Sequence, residues 1–385
     1  MYIYNMNPEI LEVSENNNIL SFKLNGVNTS IANSLRRVIL SEIPTVVFRT
    51  TPYEKNGVVL KTTPYEKNDA IFEVNSTKLN NEILKQRLSC IPIHISNVDN
   101  FPIDQYILEV DEKNESSIVQ YITTENFKIK NIVNNKYLSQ DETSKIFPKN
   151  SQTGYYIDFV RLQPKISDTI LGEELKFSCK FSVGTAKEEA TFNVVSTCCY
   201  GFTQNTVKVN DIWSKKETEY KSKNLSNEEI ALEKNNFMAI DAKRIYLEDC
   251  FDFRIESIGI YKNKDLVKKA CEVLINKYEK IIKDITNDDF NIVRSDNTMD
   301  NAFNLILEHE DYTLGKVLEF ILHEKYYLNK DILSFCGFNK EHPHCDFSII
   351  TLAFKKETEL NEIFNIVRDC CNIAIELYGN INSKF

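Results

Sequence analysis

Two segments far apart in this chain, Lys264 to Ile285 and Glu359 to Tyr378, carry apolar residues at helical spacing. In the first, Leu266, Val267, Ala270, Leu274, Tyr278, Ile281 and Ile282 share one side. In the second, Leu360, Ile363, Phe364, Val367, Cys371, Ala374 and Ile375 do. The second stripe is wide enough to need a helical partner, and the first offers a matching one. That pairing constrains the fold more than any other pattern here. It would join a core begun early in the chain to one finished at its end.

A shorter helix is written into Ser30-Ile-Ala-Asn-Ser-Leu-Arg-Arg-Val-Ile-Leu-Ser-Glu-Ile-Pro44. Ser30 is placed to cap its first turn. Ile31, Leu35, Val38 and Ile39 recur at i, i+4, i+7 and i+8 as one apolar stripe. Asn33, Arg36 and Arg37 leave that stripe, and Pro44 ends the helix. A stripe on one side and two guanidinium groups on another suit an assembly element better than a catalytic one.

Asn33-Ser-Leu-Arg-Arg37 followed by Ser41-Glu-Ile-Pro44 resembles the first helix of the alpha-type subunits of multisubunit RNA polymerases. That family includes bacterial alpha, its archaeal counterpart and the third-largest subunit of the eukaryotic enzymes. Asn75-Ser-Thr-Lys-Leu79, Glu82 and Arg87-Leu-Ser-Cys-Ile-Pro92 resemble its next motif. Asp252-Phe-Arg-Ile-Glu-Ser-Ile-Gly259 resembles its closing strand before a long dimerisation helix. Glu310-Asp-Tyr-Thr-Leu-Gly315, with Gly337 and His342-Pro343, is similar instead to the small partner subunit of the archaeal enzyme, the eleventh subunit of the eukaryotic one. The resemblance implies an α+β fold. Two alpha-type dimerisation domains would form an intramolecular pseudo-dimer, large half first, with a β-rich insert in the first.

The implied domains are 1–95 with 245–285 for the first dimerisation domain and 96–210 for the insert. A polar connection covers 211–244, a junction 286–300, and the second, small-partner-type domain 301–385. Strand-like runs at Tyr106–Val110, Tyr155–Phe159 and Ala190–Val195 support the insert. Some relatives hold a zinc or iron–sulfur site in this insert. Here no Cys falls between Ile91 and Ser178, so no such site is expected. The connection reads as exposed with one short helix, and its Trp213 as either a docking anchor or a residue packed over the insert. Thr50-Thr-Pro-Tyr-Glu-Lys-Asn56 recurs identically at Thr62 to Asn68, a local duplication rather than a solenoid.

A chain of 385 residues can bury two or three cores. Its net charge of −10 argues against a main task of wrapping DNA, which needs a basic surface. There is no G-x-x-x-x-G-K-[ST], no G-x-G-x-x-G and no Asp-x-Asp-x-Asp for polymerase magnesium. No apolar run approaches the ~18 residues of a membrane helix. The N-terminus lacks a signal-peptide pattern. The ten Cys include no CxxC pair and read as reduced, mostly buried thiols.

Three clusters invite chemistry. Arg36 and Arg37 read as charge-assisted docking groups, against the plainer reading of solvated arginines. Arg87 and Pro92 take the same reading. Glu310-Asp311 could pair as acids, but helix N-terminal chemistry with Thr313 as cap accounts for them more simply. His342-Pro-His344-Cys345 offers three ligands in four residues with no second cluster to complete a metal site.

The resemblance thus implies a non-catalytic assembly platform, with no cofactor, metal or base-specific nucleic-acid contact of its own. Its partners would be the largest and second-largest polymerase subunits, with a small zinc-ribbon subunit left open. Ile31, Leu35, Val38, Ile39, Leu274, Tyr278, Ile281, Leu314, Leu318, Phe364, Val367 and Cys371 would make the dimerisation core. Fusion and an abundance of Asn, Lys and Ile resemble a large DNA virus, which implies the cytoplasmic factory and virion; a cellular homologue would be nuclear. Two other classes stand beside this: a free-standing scaffold of the same fold, and a nucleic-acid-processing enzyme with clustered, perturbed carboxylates.

Overall fold

The computed structural model describes residues 6–51, 69–167, 169–296 and 299–385. The duplicated heptapeptides lie outside them, apart from Thr50 and Thr51. Among the described residues are eight α-helices: α1 (Thr29–Ser41), α2 (Asn81–Ser89), α3 (Gln140–Ile146), α4 (Thr206–Ser222), α5 (Asn227–Ala239), α6 (Asn263–Thr286), α7 (Tyr312–Leu322) and α8 (Leu360–Asn382). With the strands this is an α+β protein. None of the described helices is long and apolar enough to cross a membrane.

Contacts divide the chain into two compact units. The first comprises Met1–Ile39, Val195–Glu256 and Asn263–Phe385; the second comprises Leu40–Val194 and Ser257–Lys262.

The first unit holds two four-stranded antiparallel sheets. One orders Glu9–Asn16, Ile19–Asn25, Tyr246–Ser257 and Val195–Gln204. The other orders Ile292–Arg294, Ala302–Glu308, Phe347–Phe354 and Leu333–Asn339. Ile19–Asn25 alternates apolar and polar, and Leu20, Phe22 and Leu24 are buried, as a half-covered strand requires. Helices α6 and α8 supply the long stripes. The last residue, Phe385, closes on Phe22 edge to face with centroids 4.9 Å apart.

Helices α4 and α5 fill much of the expected connection, and they form a hairpin rather than an exposed link with one short helix. Val209, Trp213, Ile230, Phe237 and Ala242 make its own small core. Trp213 is buried against Phe237, with centroids 5.6 Å apart, so it is neither an exposed anchor nor a lid on the insert. Each helix contributes only two buried residues, a stripe too narrow to stand out from its polar neighbours.

The second unit is the β-rich body. Its five-stranded sheet orders Ala70–Asn75, Glu174–Lys180, Tyr106–Lys113, Lys128–Asn131 and Lys136–Tyr137. Gln120–Thr123 pairs with Asp158–Leu162, and Ser182–Gly184 with Thr45–Val47. Phe48, Phe127, Phe147, Phe159, Phe177 and Phe181 are buried in its core together with Leu84 and Leu88 of α2. The compact body therefore begins at residue 40, whereas the sequence pattern placed the start of the insert at 96. The strands and helix of 45–89 add their apolar faces to this aromatic core.

Candidate assembly surface

Helix α1 carries three of the residues expected to dock partners, Asn33, Arg36 and Arg37. Ile31, Leu35, Val38 and Ile39 are all fully buried. The helix is capped by Asn28, whose Oδ1 accepts from the Ser30 amide at 2.8 Å, and not by Ser30. Asn28 precedes the helix and can reach the amide two residues on; Ser30 already lies inside it.

The same device opens α7. Asp311 Oδ1 accepts from the Thr313 amide at 2.8 Å, so Asp311, not Thr313, is the cap. Its second oxygen, Oδ2, accepts from Arg37 Nη2 at 2.7 Å, while Arg37 Nε donates to Thr313 Oγ1 at 2.7 Å. One guanidinium thus grips the start of a helix 274 residues away. The neighbouring carboxylate, Glu310, accepts from Lys277 of α6 at 2.9 Å, with both side chains largely buried. Glu310 and Asp311 are each met by a cation from the preceding part of the chain.

Arg36 turns back on its own helix, donating from Nε and Nη2 to Asn33 Oδ1 at 3.2 and 2.9 Å. Arg87 donates from Nε to the Phe159 carbonyl and from Nη2 to the Asp158 carbonyl, both at 2.8 Å. Pro92 is half-buried behind α2. The structure therefore distributes the expected docking residues: Arg36, Arg37 and Asn33 on α1, and Arg87 in the β-rich body.

The pairing of α6 and α8 has a register that the sequence pattern alone did not reveal. Asn263, Leu266, Val267, Ala270, Cys271, Leu274, Tyr278 and Ile281 are buried on α6. Ile363, Ile366, Val367, Cys370, Cys371, Ala374, Tyr378 and Ile381 are buried on α8, each 100 positions after its counterpart (Tyr278 to Tyr378), while Ile285 and Leu377 are buried outside the correspondence. A Cys followed seven residues later by Tyr appears at the same place in both, a signal visible in the sequence. A second correspondence joins the preceding elements. The strand Ile19–Asn25 and its helix α1 match Ala302–Glu308 and α7 at an offset of 283 (Ile19 to Ala302). Of the expected core residues, Leu274, Tyr278, Ile281, Leu314, Leu318, Val367 and Cys371 are buried, and Phe364 is half-buried.

A model of the RNA polymerase Rpb3/Rpb11 dimerisation domain matches residues 21–278. The chain belongs to that family. The Rpb3/Rpb11 match starts in the strand before α1 and ends inside α6. Similar proteins include the DNA-directed RNA polymerase II subunit RPB3 of Schizosaccharomyces pombe, 24% identical over 281 residues, covering 70% of this chain and 84% of its own. The DNA-directed RNA polymerase subunit Rpo3 of Methanosphaera stadtmanae is 25% identical over 313 residues, covering 74% of this chain and all of its own. Subunit RPAC1 of RNA polymerases I and III from Bos taurus is 21% identical over 324 residues, covering 73% and 85%.

Buried thiols and phenols line the pair of helices α6 and α8. Burial pushes the Cys371 thiol up to about 12, and it raises the phenols of Tyr278 and Tyr378. These groups stay neutral at physiological pH, so they are packing groups and not nucleophiles. Among the described residues no group of three or more His, Cys, Asp and Glu is placed to hold a metal. His342 Nδ1 instead accepts from the His344 amide at 3.1 Å.

Proposed function

We propose that the chain is a non-catalytic assembly subunit of a multisubunit DNA-directed RNA polymerase, with both alpha-type partners carried as halves of one polypeptide. The observation that carries this reading is the offset of 100 between the buried residues of α6 and α8, in a chain of a dimerisation family. A two-fold dimer repeats one set of contacts on both sides. The same repetition inside one chain is what an intramolecular pseudo-dimer requires. The polymerase context comes from the relatives, which are RNA polymerase subunits by name.

In this reading Arg37 has an internal task. With Lys277, it ties the first half to Glu310 and Asp311 of the second. Docking of the second-largest subunit, and then of the largest, falls to Arg36, Asn33, Arg87 and Pro92. A small zinc-ribbon subunit could join the same platform. A tether in place of a bimolecular encounter gives the halves an effective concentration on the order of mM and fixes their ratio at one to one. The cytoplasmic, viral setting extends this reading from the fused arrangement.

The test is recovery of partners by tagged chain from its native source. The two large polymerase subunits should co-purify with the native chain. Arg36→Glu should reduce their yield while the chain keeps its helical circular dichroism. Undiminished recovery with Arg36→Glu would remove Arg36 from the docking surface. Recovery of the chain with unrelated partners would remove the polymerase reading.

A further inference from the structure

In the β-rich unit a pocket of about 330 Å³ is lined by Lys78, Leu79, Arg87, Asp158, Phe159, Val160, Arg161 and Gln163. Three of these side chains are cations and one is a carboxylate. Two of the cations, Arg87 and Arg161, are set by something other than a carboxylate, and the third, Lys78, is carried on a fixed turn. Arg87 is pinned by the carbonyls of Phe159 and Asp158. Arg161 lies over the ring of Tyr121, 4.8 Å from its centroid. Lys78 sits in a turn fixed by Asn75, whose Oδ1 accepts from the Thr77 amide at 3.0 Å and whose Nδ2 donates to the Leu79 carbonyl at 2.9 Å. Among the described residues no carboxylate forms an ion pair with Lys78, Arg87 or Arg161. Other cations of this acidic chain do meet carboxylates, among them Arg37–Asp311, Arg49–Glu188, Lys176–Glu73 and Lys277–Glu310.

We infer that this pocket is a docking site for an acidic segment of a partner polypeptide, a Glu or Asp side chain with an apolar neighbour. Positive charge without a carboxylate partner, two of its three groups already held in place, in a chain of net charge −10 is complementary to an acidic partner. Leu79, Phe159 and Val160 give the pocket an apolar wall that an adjacent aliphatic or aromatic side chain covers. The volume holds one or two side chains. Nucleic-acid phosphates fit less well, because a backbone needs cations in a row along a groove. This site rests on the assembly-subunit reading for the source of its partner, but not for its chemistry.

Photocrosslinking tests it. The full chain carrying Gln163→p-benzoylphenylalanine is irradiated in its native complex, and the adduct is sequenced. An adduct to a segment rich in Asp and Glu is expected, and its yield should fall on the order of tenfold in Lys78→Glu/Arg161→Glu. Both substitutions lie at exposed positions, and circular dichroism checks the fold. A nucleic-acid adduct, a neutral or basic peptide, no adduct, or a yield indifferent to the double reversal would each overturn the pocket's assignment. The protein that owns the peptide answers the other question. An acidic segment from a large polymerase subunit supports both readings, whereas one from an unrelated protein keeps the pocket and removes the polymerase.

Discussion

The rings of Tyr278 and Tyr378 stack with centroids 6.1 Å apart and planes 14° apart, each at the same point of its helix's buried stripe. Both are fully buried, and the hydroxyl of Tyr378 lies 2.5 Å from Ser34 Oγ of α1. Three helices therefore meet at one aromatic pair. Tyr378→Ala should destabilise the chain by about 3–5 kcal/mol, the usual cost of emptying an aromatic site. Tyr378→Phe keeps the stack and loses only the hydrogen bond, for about 1–2 kcal/mol. Urea unfolding of both variants measures the difference; equal losses would deny the ring its packing role.

Arg37 and Asp311 predict a measurable coupling. The pair is partly exposed, with side chains 35% and 24% accessible, so solvent screening limits it. A double-mutant cycle with Arg37→Ala and Asp311→Asn should give about 1 kcal/mol. Asp311 also caps α7, so Asp311→Asn, which retains a capping oxygen, isolates the ion pair better than Asp311→Ala. Additive losses in the cycle would mean that the two groups stabilise the chain independently.

Gly315 of α7 has no room for a side chain. A Cβ there would stand 2.0 Å from Cε2 of Phe338. Gly315→Ala should cost about 1–3 kcal/mol through displaced packing, although alanine is the better helix former. Thermal unfolding would reveal it; a gain in stability would show that the Phe338 ring moves aside freely.

Acid should weaken the β-rich unit through His94. Burial holds its imidazole below the usual pKa, against a hydrogen bond with the Gly259 backbone that acts the other way. The unfolded chain takes up this proton near about pH 6.5, before the folded chain does. The stability is therefore present above that pH and lost as the pH falls through and below it. Between about pH 7.5 and about pH 5.5 the native chain should lose more stability than His94→Gln, as read from urea midpoints. Parallel curves would remove His94 from the effect.

What the sequence made legible follows from periodicity. The stripes of α6 and α8 were readable because Leu266, Leu274, Tyr278, Ile363 and Val367 recur at helical spacing among polar residues. The hairpin of α4 and α5 was not, since Val209 and Trp213 are alone on one helix and Ile230 and Phe237 on the other. Nor does local pattern say which of two cores a segment joins. Thr45–Val47, which directly follows the first family motif, and Leu84, which lies within the second, serve the β-rich body. Arg37 illustrates the same limit. Its place on α1 was evident, but its partner Asp311 lies on another element far along the chain. Only the fold brings the two together.

The central claim is that one chain supplies both alpha-type halves. Native mass spectrometry of the complex purified on this chain tests it most directly. The expected result is one copy of the chain with one copy each of the two large polymerase subunits, and no separate small alpha-type partner. Two copies of the chain, or a distinct small partner bound to it, would contradict the claim.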